Sequence, residues 1–147
     1  MKQLNWKILA ILICTAALLS ACGGNQIPVT GEKVEPSRVE PIEGSDFSRL
    51  ILTEKAVERL GVETTQVEVR QMNSEHLAVP YSAVMYGLDG ETWVYTNPEP
   101  LVYIREAIVI DYIDGDWVAL MEGPEVGTPV VTVGAALLYG AEVGVSK

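Results

Sequence analysis

His76 is the single histidine in this chain of 147 residues, and most conceivable side-chain chemistry would have to begin there. Met72 lies four residues before it, and Met85 and Met121 follow. Imidazole and thioether ligands together would suit copper or silver. No Met or His spacing repeats, however, and an exposed loop histidine beside ordinary core methionines accounts for the same residues. Asp111, Asp114 and Asp116 around Gly115 have the outline of a calcium loop but lack the EF-hand ligand spacing. Ser82 and Ser146 stand outside any Gly-x-Ser-x-Gly context, with His76 as their only candidate base. Carboxylates are many, yet sequence alone does not set two of them across a cleft. No phosphate loop or dinucleotide fingerprint is present. A hydrolase is therefore the least supported class, and the chain reads as non-catalytic, with no metal and no cofactor.

The cysteines point elsewhere. Lys2 and Lys7 precede the apolar run Ile8 to Leu19, and Leu19-Ser20-Ala21-Cys22 closes it. A positive start, an apolar middle and small residues at the end are the parts of a secretory signal. The run is short for a membrane span, which needs about 20 residues. The Leu-Ser-Ala-Cys ending resembles the lipobox of bacterial lipoproteins. That resemblance implies cleavage after residue 21, acylation of the Cys22 thiol, and attachment to a membrane through acyl chains such as palmitate. The alternatives are a plain signal peptide and an uncleaved anchor. In each case the domain lies in the cell envelope, facing outside the cytoplasm. Cys14 sits inside the signal, so no cysteine remains for a disulfide, a thiol nucleophile or a cysteine metal site.

The net charge of −10 becomes −12 once Lys2 and Lys7 leave with the signal. Such acidity argues against nucleic acid as a partner, and no Lys/Arg cluster is present to hold an anionic lipid surface. Residues 22–46 hold Gly23-Gly24, Pro28, Pro36, Pro41 and Gly44 without a clear period, and read as a flexible tether. The echo Lys33-Val34-Glu35-Pro36 and Arg38-Val39-Glu40-Pro41 fits a stiff spacer, since each proline forces the preceding residue into an extended form. Ile42 and Phe47 give the end of the tether apolar groups with which to dock on the domain.

Residues 47–147 form one domain by size. Ser48 to Leu52 is predicted as its first strand. Thr53 then caps a short helix that Gly61 ends, with Ala56, Val57 and Leu60 as its apolar stripe. Val62 to Arg70 is predicted as a strand with Val67 and Val69 on one face. Asp89-Gly90 and Asp114-Gly115 are hairpin turns. Leu101 to Tyr112 is one long strand that buries Val102, Ile104, Ile108 and Ile110. Glu106 interrupts that face, either as a bulge or as a carboxylate paired with Arg105 or another cation. Ala135 to Tyr139 is a single helical turn. The fold class is mainly β: a small antiparallel β-barrel-like domain with one short helix.

Several of these stretches also resemble a family. Val79-Pro80-x-x-Ala83-Val84, Trp93-Val94-Tyr95, and Asp114-Gly115-Asp116-Trp117-Val118 running through Glu122-Gly123-x-x-x-Gly127 to Val130-Val131-x-Val133-Gly134 resemble the membrane-proximal domain of periplasmic adaptor subunits. These are also called membrane fusion proteins, and belong to RND-type efflux pumps. Leu52-Thr53-x-x-Ala56-x-x-x-Leu60-Gly61-Val62-x-Thr64 resembles the segment that opens the adaptor β-barrel. Full adaptors place a lipoyl-like domain and a long helical hairpin between these regions, where this chain has only Gln71 to Glu75. The resemblance implies a lipid-anchored binding or assembly module for transmembrane transport, with an RND-type permease as possible partner. The alternative is a stand-alone envelope lipoprotein that serves no pump. Among Tyr81, Tyr86, Trp93, Tyr95, Tyr103, Tyr112 and Trp117, the default role is core packing. Those on outward parities are candidate interface anchors, and Trp93 and Trp117 are the residues expected to bind a partner.

Overall fold

A computed structural model describes residues 35–145. Cys22, expected as the lipid site, with the expected signal and the first part of the expected tether, lies outside the described residues. Two antiparallel sheets carry the fold. The larger is built from β1 (Ser37–Pro41), β2 (Ser48–Leu52), β8 (Val102–Ala107), β7 (Thr92–Glu99), β11 (Pro129–Val133) and β3 (Glu63–Gln66), in that spatial order, with the short β6 (Met85–Tyr86) also paired to β7. The smaller runs β4 (Glu68–Gln71), β5 (Glu75–Pro80), β10 (Trp117–Glu122), β9 (Val109–Asp114). The class is mainly β as expected, but the sheets do not close into a barrel.

Twice the chain passes from the larger to the smaller sheet at a single buried residue. Val67 separates β3 from β4 and Ile108 separates β8 from β9. Neither is left without backbone partners. The Val67 N–H donates to the Thr128 carbonyl at 2.9 Å, and the Ile108 N–H donates to the Thr92 carbonyl at 3.0 Å. Both continuous strands expected from the sequence are therefore broken. Val67 is buried while Val69, two residues on and of the same parity, is 47% exposed. Val102 and Ile108 are buried as expected, but Ile104 and Ile110 are only partly so. No bulge falls at Glu106, which pairs in register with Val94, and the change of sheet at Ile108 keeps the parity, since Ile108 and Ile110 both pack on the core between the sheets.

Side chains alternate across a strand, so neighbours on β7 and β11 serve different layers. Val94 and Val130 join Val67, Val79, Ile108, Val118 and Leu120 in the core shared by the two sheets. Tyr95 and Val131 face the other way, with Leu50, Leu52 and Tyr103, into a second core. Two helices cover that second face: α1 (Glu54–Leu60) contributes Ala56, and α2 (Ala135–Val145) contributes Ala135 and Leu138.

Local signals behave as read. The Ala56 N–H donates to the Thr53 hydroxyl at 3.2 Å, and Gly61 takes the left-handed conformation that ends α1. Both Asp-Gly pairs turn hairpins, β6 to β7 and β9 to β10. In the second, Gly115 at φ 59° carries the left-handed residue of a two-residue connection between Asp114 and Trp117. Two corrections concern the termini of the domain. Ser37–Pro41, assigned above to the tether, pairs with β2 along its whole length. The expected single turn at Ala135 extends through eleven residues to Val145.

Candidate functional site

The site lies where the end of β5 meets the β9–β10 hairpin. Trp117, the first residue of β10, is paired in register with both Pro80 and Asp114. After Pro80 the chain makes a 3-10 turn over Tyr81–Ala83. Ala83 and Val84 hold this turn in the core, which leaves Tyr81 and Ser82 outside. The Tyr81 N–H donates to the Asp116 carbonyl at 2.8 Å, so the two walls are joined through backbone. Between them lies an open cleft of about 360 Å³, lined by Pro80, Tyr81, Ser82, Asp116 and Trp117.

Two neighbours hold the aromatic walls. Tyr81 neighbours Tyr86 across the turn; burial first, and then the Tyr81 hydroxyl, raise the Tyr86 phenol above its ordinary value. The Arg70 guanidinium lies over the Trp117 ring, 3.9 Å from its centroid, and is also paired with Glu68. Antiparallel register places Arg70, Ala78, Ala119 and Trp117 on one face of the smaller sheet. Ala78 and Ala119 are fully buried. Small side chains there leave room for a long guanidinium stem and an indole to lie flat.

His76 belongs to the same face but not to the cleft. Its Nε2 is 3.1 Å from Asp111 Oδ2, and its Nδ1 is 3.2 Å from the Ser74 carbonyl and 3.3 Å from the Ser74 hydroxyl. Tyr112 packs edge-on against the ring and accepts from the Asn73 N–H. The histidine thus lies in a strand, not a loop, and ties the β4–β5 turn to β9. Its ring nitrogens are engaged by Asp111 and Ser74, not by Ser82. Among the described residues, no group of three or more His, Cys, Asp or Glu is placed to hold a metal ion.

The two tryptophans named from sequence are not brought together. Trp117 lines the cleft. Trp93 is 4% exposed and packs 6.0 Å, centroid to centroid, from Tyr139 of α2. It is no exposed anchor, because it shares the inward parity of Tyr95 on β7. A second polar cluster surrounds it. Arg105 pairs with Glu142 at 2.9 Å, Tyr95 donates to the same carboxylate at 2.6 Å, and the rings of Phe47, Trp93 and Tyr139 flank the guanidinium. Arg105 is therefore committed to Glu142. The charge that acts most on Glu106 is Glu125: burial first, then that carboxylate, raises its pKa. The cation partner expected for Glu106 is absent among the described residues.

Sequence reading missed Arg70, Tyr81, Ser82 and Asp116 as parts of one site. The nearest signal was the aromatic directly after the Asp114-Gly115-Asp116 turn, since a side chain beside a tight turn sits at a sheet end. Its partners come from β4 and from the end of β5, and only strand order makes them neighbours. No known protein family, curated protein or solved structure matches this chain.

Proposed function

We propose that this protein is a non-catalytic, extracytoplasmic binding or assembly module, held to a membrane through acyl chains on Cys22 and associated with a membrane transporter. The observation that carries the binding role is the preformed cleft between Tyr81 and Trp117, whose walls are joined by backbone before any partner arrives. A prepared aromatic surface loses little freedom on docking, and Tyr and Trp are the side chains that dominate protein interfaces. The link to a transporter rests on the resemblance of the Val79–Val84, Trp93–Tyr95 and Asp114–Gly134 stretches to efflux-pump adaptors. The lipid anchor rests on Leu19-Ser20-Ala21-Cys22. Anchoring would confine the search for a membrane partner to two dimensions, so a weak interface suffices.

Crosslinking in intact cells followed by mass spectrometry tests this reading, with Cys22→Ser as the control for anchoring. Recovery of a permease, lost when Cys22→Ser releases the protein from the membrane fraction, is the expected result. Recovery of only soluble envelope proteins, with a permease detectable in the same membranes, would overturn it.

A further inference from the structure

We propose that the cleft between Tyr81 and Trp117 receives a basic side chain, lysine or arginine, from an extended segment of a protein partner. This deepens the binding role above and rests on it. The argument begins with charge. Arg70 lies against the cleft wall at Trp117, and Glu68 already neutralises it. Asp116 lines the cleft, Asp114 adjoins it across the hairpin, and neither forms an ion pair among the described residues. Counting Arg70, Glu68, Asp114 and Asp116 as +1, −1, −1 and −1 leaves a local charge of −2. An anionic occupant would meet that charge, and the cleft lining itself holds no lysine or arginine among the described residues.

The ring chemistry agrees. An indole face attracts a cation through its quadrupole. Trp117 demonstrates this within the structure, since Arg70 sits on it at 3.9 Å. Arg70 lies over the indole, and the ring also contributes to the cleft wall. Tyr81, 47% exposed, adds a second aromatic side chain to the lining. A lysine or arginine stem would lie against this aromatic lining, its head toward Asp116, with Ser82 as a neutral hydrogen-bond acceptor.

Nuclear magnetic resonance of the full chain in detergent micelles tests this with three probes: N-acetyl-lysine methylamide, its neutral isostere N-acetyl-norleucine methylamide, and N-acetylglucosamine. The lysine amide should shift the Trp117 indole and the Tyr81, Ser82 and Asp116 amides, while the norleucine amide at equal concentration should not. Asp116→Asn, a surface change, should weaken the lysine amide about threefold to fivefold, and Tyr81→Leu should weaken it about twofold to fivefold. Equal shifts from norleucine would make the cleft a plain apolar groove and overturn the proposal. Shifts from the sugar and not from lysine would make it a glycan platform and do the same. So would no shifts, shifts elsewhere, or an Asp116→Asn variant that binds unchanged. A permease recovered by crosslinking alongside a negative probe result would remove this inference and leave the binding role; lysine binding without a permease would do the reverse.

Discussion

Arg105 and Glu142 meet at 2.9 Å across the seam between β8 and α2, 37 residues apart in sequence, with Glu142 4% exposed. Tyr95 donates to the same carboxylate, so three groups from three elements close one seam. A buried pair is costly to halve, because the remaining charge has left water without a partner. Glu142→Ala should lower stability by about 3 kcal/mol. Arg105→Met combined with Glu142→Leu should cost less than either change alone, because no buried charge is stranded. Urea unfolding of all variants measures this, and additive losses would contradict it.

Tyr95 makes alkaline stability the second prediction. Burial first, and then the bond to Glu142, raise its phenol far above the ordinary value. The folded state therefore keeps a proton that the unfolded chain loses above pH about 10. Its contribution is whole below that pH and is lost as pH rises toward the folded value. Stability should fall by up to about 1.4 kcal/mol per pH unit from this group. Tyr95→Phe should flatten the slope without abolishing it, since burial also raises Tyr103. Thermal unfolding from pH 9 to 11 reads the slope, and an unchanged slope would count against the assignment.

Glu106 behaves in the same sense at the acid end. Its pKa is raised by burial first and then by Glu125. The favourable, protonated form is present below the usual carboxylate range, and its contribution is lost as pH rises through the folded value. Glu106→Gln should therefore be more stable than the parent at neutral pH, with the advantage fading as pH falls below that range. Paired melts at neutral and acid pH decide it; a variant less stable at neutral pH would show that an attractive partner exists.

Leu101 carries the fourth. Pro100 and Leu101 connect Glu99 of β7 to Val102 of β8, and Leu101 sits at φ 66°. Asn97 braces the connection by donating to the carbonyls of Glu99 and Val102. A side chain at this angle costs roughly 1–2 kcal/mol. Leu101→Gly should stay within about 1 kcal/mol of the parent, relief of strain offsetting lost chain restriction. Leu101→Val should be worse by about 1 kcal/mol or more, because a β-branched residue is an outlier there. A valine variant as stable as the glycine one would mean that the turn rearranges.

Sequence alone was enough wherever the deciding forces act within a few residues. Thr53 and Gly61 bound α1 because a hydroxyl reaches the next turn's N–H and glycine tolerates the left-handed angle. Asp89-Gly90 and Asp114-Gly115 turn hairpins for equally local reasons. Tertiary structure decided the rest, because a strand's alternation names two faces without saying what covers either. Ser37–Pro41 is a strand because β2 offers it an edge. Val62 to Arg70 and Leu101 to Tyr112 look continuous, but Val67 and Ile108 are the points where one sheet hands the chain to the other. Trp93 and Trp117 each stand near the start of a strand that follows a turn. The first is covered by α2, whereas the second lies under Arg70 beside the end of β5. Sheet order, set by pairings far apart in the chain, makes one a core residue and the other the wall of a cleft.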